Sequence, residues 1–357
     1  MSEVAKPTAA GPTPGNDSTA VGPAVLARYA RPDHGRSLLD LATSVLPYLG
    51  LSVLMYFALE VSYLLALALA LPAAGFLVRT YIVLHDCGHG SFMRSRRANA
   101  WIGSLCGLLV FTPFHSWRHE HAVHHATAGD LDRRGVGDVL TLTVAEYAAL
   151  GWFGRLKYRL FRNPLVMFGL GPAYAMILSP RWPSPSARKR IRRNVIATDI
   201  ALAALIAGLC WAVGWREYLL VQAPTAWLAG ATGVWLFYVQ HQFEDTYWQT
   251  SERWAYADAA LRGSSYLKLP RVLQFFTGNI GLHHVHHLST RIPNYNLQRA
   301  HDENQAFREV PTLTLWDGLR AVRLKLWDED RERLVTFAQA REPTAAATAL
   351  PSVTPIR

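Results

Sequence analysis

The chain is short of cysteine, of charge and of the usual zinc-enzyme signatures, and each shortage removes a class of function. Three cysteines, Cys87, Cys106 and Cys210, are spread through 357 residues. They are too far apart in sequence to suggest a disulfide framework, a cysteine-ligated zinc or an iron-sulfur site. Charged residues make up 17% of the chain and apolar ones 50%. The apolar residues are gathered into blocks too long for ordinary core helices, which points to a membrane protein. The net charge of +10 is not interleaved with an aromatic stacking platform, so no nucleic-acid partner is expected. An anionic membrane surface or an acidic protein fits better. The first 35 residues contain no apolar h-region, so no cleaved signal peptide is expected. His-Glu-x-x-His is absent, against the common zinc proteases. Glu-x-x-His is also missing, against a carboxylate-bridged ferritin-like site.

What the chain does have is histidine in a pattern. Of 14 histidines, eight fall into three spaced clusters: His85 and His89 in His-Asp-Cys-Gly-His, His121, His124 and His125 in His-Ala-Val-His-His, and His283, His286 and His287 within Gly-Leu-His-His-Val-His-His. On a helix, residues four apart share a face and a third lies beside them, so the imidazoles of the last cluster are expected to converge on one point. His115 and His119 share a different face. Asp130, Asp132 and Asp138 follow the second cluster and are candidates to hold imidazole N–H groups. Neutral imidazole suits zinc, copper, iron or nickel, so ligand type does not name the metal. Eight or nine histidines nevertheless exceed what one ion needs, and two ions are implied.

Taken in order, residues 1–36 read as a flexible tail rich in Pro, Ala and Gly. Residues 37–85 are apolar enough for a helical hairpin crossing a core of about 30 Å twice, and a second hairpin is expected at about 195–240. Arg94, Arg96 and Arg97 follow the first hairpin, and the run Arg188, Lys189, Arg190, Arg192 and Arg193 precedes the second. Such flanks mark the cytosolic side. An even number of crossings therefore leaves His241 and all three clusters on one face, with cytosolic segments at 86–194 and 241–327. The stretch 164–178, broken by Gly169, Gly171 and Pro172, is expected to lie along the interface. Residues 328–357 form a C-terminal segment expected to be disordered from about 344. The fold class is thus an all-α integral membrane protein, with four transmembrane helices in two hairpins under a helical cap that carries a histidine-rich two-metal site.

The box at 85–92 (His-Asp-Cys-Gly-His-Gly-Ser-Phe), the box at 121–125 and the stretch 278–295 ending in Leu-Ser-Thr-Arg-Ile-Pro-Asn-Tyr resemble the three histidine boxes of membrane fatty acid desaturases. The likeness is strongest to the bacterial and plant acyl-lipid branch and covers roughly residues 37–320. It implies a non-haem di-iron enzyme that uses dioxygen and two external electrons to remove two hydrogens from an acyl lipid or acyl thioester. Carried over by position, the metal ligands are His85, His89, His121, His124, His125, His283, His286 and His287, with His241 as the extra ligand after the fourth span. His119 and His284 fall inside the boxes but off the matching positions, and Asn279 is a candidate water-mediated contact. No His-Pro-Gly-Gly stretch or ferredoxin-like cysteine set is present. Electrons are therefore expected from a separate donor such as ferredoxin or a cytochrome b5-like protein, and the location implied is the bacterial inner membrane with both termini cytosolic.

A hydroxylase, an acetylenase or a carotenoid ketolase or hydroxylase would share this architecture. A histidine-rich metal transporter or sensor is a more distant alternative. It would need ligating residues inside the spans, and these read as nearly bare, with Glu60 and Arg216 at turns.

Overall fold

The computed structural model describes residues 23–183 and 187–342. Among the described residues, four helices are long and apolar enough to cross a membrane: α2 (His34–Val61), α3 (Tyr63–His89), α9 (Lys189–Val213) and α10 (Trp215–His241). A single residue, Ser62, joins α2 to α3, closing the last turn of one through its backbone N–H and capping the other by accepting from the Leu64 N–H. Gly214 makes the corresponding turn between α9 and α10 at φ 91°, where a side chain would be strained. Leu38, Leu46, Val61, Leu64, Ile200 and Trp211 stand exposed on these helices, as a hydrocarbon solvent permits. The chain is an integral membrane protein.

The spans are less bare than their composition suggests. Asp40 on α2 pairs with Arg79 on α3, and the partly exposed Asp199 on α9 with Arg181, so charge on the spans is matched between elements.

The cap begins where α3 ends, at Gly90 in the left-handed region (φ 70°). It contains α4 (Arg96–Leu109), α5 (Phe114–Thr127), α6 (Val144–Ala149), α7 (Trp152–Phe161), α11 (Tyr256–Leu261), α12 (Arg271–Phe276), α13 (His283–Leu288), α14 (Asn294–Asp302) and α15 (Leu315–Ala321). Two small sheets tie it together: β1 (Leu142–Thr143), β4 (Leu326–Asp328) and β5 (Arg333–Val335) in the order β1-β4-β5, and β2 (Tyr266–Leu267) parallel to β3 (Thr312–Leu313). The main core packs Leu77 and Leu84 of α3 against Phe92, Phe114 and, from α10, Leu236 and Val239.

Two expectations change. The segment expected as a tail to residue 36 is structured from residue 23: Leu26 of α1 (Pro23–Ala27) and Tyr29 just after it are buried against Leu282, Val285 and Phe307. Residues 1–22 lie outside the described residues, as does the stretch from 343 where disorder was expected. Residues 164–178, expected along the interface, pack against a spanning helix. They form two π-helical turns, Val166–Leu170 and Tyr174–Leu178, around the short α8 (Gly171–Ala173), and pack on the flank of α10. There the Trp227 indole donates to the Gly169 carbonyl at 2.9 Å, and Gly230 is bare because Met176 and Pro172 fill its side-chain space. Since Trp227 lies 14 residues before His241, this contact sits about 21 Å down the helix from that end.

Candidate metal centre

The three sequence clusters become two spatial groups. His85, His89, His121, His125 and His286 form one, and His124, His241, His283 and His287 the other. Within each group the ligand-capable nitrogens lie within 4.8 Å of one another. The clusters do not each converge on one point, and helical geometry explains why. On α5 the i, i+4 pair His121 and His125 faces the first group, while His124, rotated about 60° from His121, faces the second. On α13 the pair His283 and His287 faces the second group and His286 the first. α3 supplies His85 and His89 from its last two turns, and α10 supplies His241 as its last residue.

The nitrogens face one another closely. In the first group, Nε2 of His286 lies 3.1 Å from that of His85 and 3.0 Å from that of His125, which is 3.1 Å from Nε2 of His121. In the second, Nε2 of His241 lies 3.1 Å from Nε2 of His124 and 3.0 Å from Nε2 of His283. Burial, reinforced by neighbouring imidazoles, holds His121, His124, His125, His283, His286 and His287 well below the ordinary histidine range, so these rings are neutral and carry lone pairs.

Two imidazoles have their tautomer set from behind. Nδ1 of His241 donates to the Gly263 carbonyl at 2.9 Å, and Nδ1 of His85 faces the Asp86 carboxylate at 3.2 Å. A carbonyl or carboxylate can only accept, so each Nδ1 carries the proton and each Nε2 offers a lone pair. Lone pairs about 3 Å apart repel unless a cation sits among them. Two nitrogens each about 2.1 Å from one ion and at right angles to it are also about 3 Å apart. The buried Nε2 atoms of His89 and His287 have no hydrogen-bond partner among the described residues. Donor type, spacing and orphaned atoms all fit a metal ion in each group.

Packing holds the rings from outside. Trp117 stacks on His121 at 4.6 Å between centroids, and it fits because Gly88, between His85 and His89, has no side chain: a Cβ there would stand 2.7 Å from the indole. A cleft lined by His124, His241, Phe237, Val139, Trp248 and Asp138 opens beside the second group.

Other expectations resolve individually. His284 turns away to pair with His301 at 3.0 Å, and burial together with His301 pushes it down to about 3. His115 and His119 are in neither group. Asn279 spends its amide on the Asn294 carbonyl at 3.1 Å and adopts φ 58° in the turn before α13. The three aspartates hold no imidazole among the described contacts. Asp130 instead takes Arg133, Ser251 and the Asp132 N–H, Asp132 takes the Ser251 N–H, and Asp138 the Gly135 N–H. The groups behind the histidines are Asp86 and the Gly263 carbonyl, and sequence reasoning missed both.

The fatty acid desaturase family model matches residues 61–317, a span that contains both histidine groups and α3 through α14. The chain belongs to the fatty acid desaturase family, and its activity is that of a fatty acid desaturase. It is similar to the fatty acid desaturase of Bacillus subtilis, with 47% identity over 312 residues covering 87% of this chain and 89% of the relative. It also resembles the sn-1 acyl-lipid omega-3 desaturase (ferredoxin) of Synechocystis, at 31% identity over 62% of each chain. The chloroplastic omega-6 fatty acid desaturase of Arabidopsis thaliana is 26% identical over 71% of this chain and 56% of the relative.

Proposed function

We propose that the protein is a di-iron acyl-lipid desaturase: it converts two adjacent methylenes of a lipid acyl chain to a double bond, with dioxygen, two electrons and two protons becoming two waters. The observation that carries this reading is the gathering of nine histidines into two nitrogen-only groups at the ends of membrane-spanning helices in a desaturase-family chain. The ions would be held by His85, His89, His121, His125 and His286 in one group and by His124, His241, His283 and His287 in the other. When bound, they supply the oxygen-dependent oxidation that an unactivated C–H bond requires.

The protein's own part is positional. Asp86 and the Gly263 carbonyl keep Nε2 of His85 and His241 unprotonated, and Trp117 fixes the His121 ring. Burial excludes water from most of the rings, with His124 and His286 each 1% exposed, which suits chemistry that must not be quenched by solvent. Phe237, Val139 and Trp248 give the cleft beside the second group walls compatible with a hydrocarbon chain. Electrons come from a separate carrier. The name of the Synechocystis relative includes ferredoxin, and the basic run at 188–193 would complement such an acidic protein. The histidine groups and both termini face the cytosol, in the inner membrane of a bacterial cell.

Expression in a host lacking desaturases, with fatty-acid profiling by mass spectrometry, tests the reading. Loss of two hydrogens from a lipid-bound chain is expected. Gain of an oxygen atom would make it a hydroxylase, and purified protein with one zinc and no iron would overturn the metal assignment.

A further inference from the structure

We propose that Asn294 is a positioning residue for the first histidine group: it holds Asp86 in the orientation that keeps the His85 Nε2 lone pair turned into that group. The proposal rests on the metal-binding reading above. Asn294 opens α14, 208 residues after Asp86. Its backbone N–H donates to Asp86 Oδ2 at 2.7 Å, and its side-chain amide donates to the same oxygen at 3.0 Å. The amide's other hydrogen goes to Asp40 Oδ2 on α2 at 2.7 Å, while Asp40 Oδ1 takes the Arg79 guanidinium. With Oδ2 of Asp86 occupied twice, Oδ1 is left to accept from His85 Nδ1.

The line Arg79, Asp40, Asn294, Asp86, His85 is buried from Asp40 onward, with Asn294 1% and Asp86 2% exposed. Two carboxylates this close accept only donors between them, and one primary amide with two hydrogens meets both. The arrangement dictates the His85 tautomer. An amide in place of the Asp86 carboxylate would have to turn its oxygen toward the two Asn294 donors and its NH2 toward His85. Nδ1 of His85 would then accept, Nε2 would carry the proton, and the ligand would be lost to the metal.

The test follows release of iron into a chelator from purified, iron-loaded protein, a readout independent of turnover. For Asn294→Leu, one of the two ions should leave at least about tenfold faster, as expected when the hydrogen bonds behind a ligand are lost, while the other leaves at the unaltered rate. Asp86→Asn should hold a single ion. Asn296→Leu is the control on the same helix: it breaks the bonds of Asn296 to the Tyr29 carbonyl and to Arg36 but leaves Asp86 untouched, and it should keep both ions. Asn294→Leu releasing both ions at the unaltered rate, or Asn296→Leu matching it, would overturn the proposal. Should Asn294→Leu fail to fold, an Asp86→Asn protein holding two ions at the unaltered rate overturns it equally. An unaltered protein that takes up no pair of ions instead brings down the metal-binding reading itself.

Discussion

Nδ1 of His241 donates to the carbonyl of Gly263 across 2.9 Å, and that bond decides which nitrogen the last residue of α10 presents to the second histidine group. Gly263 cannot carry a side chain there, because a Cβ would lie 2.5 Å from the Ala259 carbonyl oxygen. Gly263→Ala must therefore shift the carbonyl. It should lower metal occupancy toward one ion per chain and reduce desaturation at least about tenfold, read by elemental analysis and product yield. His241→Ala should abolish product, and an active, iron-replete variant would remove His241 from the ligand set.

Histidines outside the two groups should behave differently from those inside. Alanine at His121, His124, His125, His283, His286 or His287 should eliminate product. Alanine at exposed His34 or His119 should leave activity within the few-fold range of an ordinary surface change. His284→Ala removes a buried ring paired with His301, so its cost should appear as a lowered thermal midpoint with both ions retained.

Arg162 is fully buried, with no carboxylate among its hydrogen-bond partners in the described residues. It donates to the Leu140 and Leu324 carbonyls, the Thr141 and Tyr238 hydroxyls and the Gln242 amide oxygen. Tyr238 and Gln242 flank His241, so this side chain clamps the end of α10 onto the cap. Arg162→Met strands several buried acceptors and should cost on the order of 3 kcal/mol. The measurement is unfolding in detergent against the parent protein.

Burial, with the nearby Arg162 guanidinium, pushes Lys325 down from the ordinary lysine value of 10.5 to about 8. Between those values the unfolded chain binds a proton that the folded chain does not, so stability should rise with pH across that window. Below about pH 8 both states are protonated and the gain is absent. Lys325→Met should flatten the rise, checked by thermal midpoints at about pH 7.5 and about pH 9.5.

The orientation can be checked with a single cysteine. Cys87 and Cys106 are buried, so after Cys210→Ser a cysteine replacing exposed Val136, in the loop beyond α5, would be the principal accessible thiol. An impermeant maleimide should label it in opened cells but not in intact ones. Labelling from outside intact cells would reverse the proposed topology.

The hairpins and the histidine boxes were legible because each depends on local pattern: apolar runs long enough for the bilayer, and imidazoles at helical spacing. Two ions were implied, but the splitting of each helical cluster between two groups was not anticipated, although the i, i+4 rule contained it: His121 and His125 share a face that His124 does not. The supports were hidden for a different reason. Asp86 meets Asn294 across 208 residues, His241 meets Gly263 through a backbone carbonyl, and Arg162 reaches Gln242 from the turn that closes α7. No local periodicity marks such partners. Asp130, Asp132 and Asp138 were nearer in sequence to the second box, yet their oxygens are taken up by their own loop and Ser251.

Because α5 and α13 each send a pair of histidines to one group and a single histidine to the other, each helix is a rung fastened at both ends. The interval between the two centres is then inherited from the pitch and radius of an α-helix, among the stiffest lengths a polypeptide offers. Drawing the centres apart would require unwinding or tilting both rungs together, so a loop motion cannot retune that interval, and neither can the loss of a single hydrogen bond. Changes at Asn294 or Gly263 can empty a seat, but they should leave the distance between the seats where the helices set it.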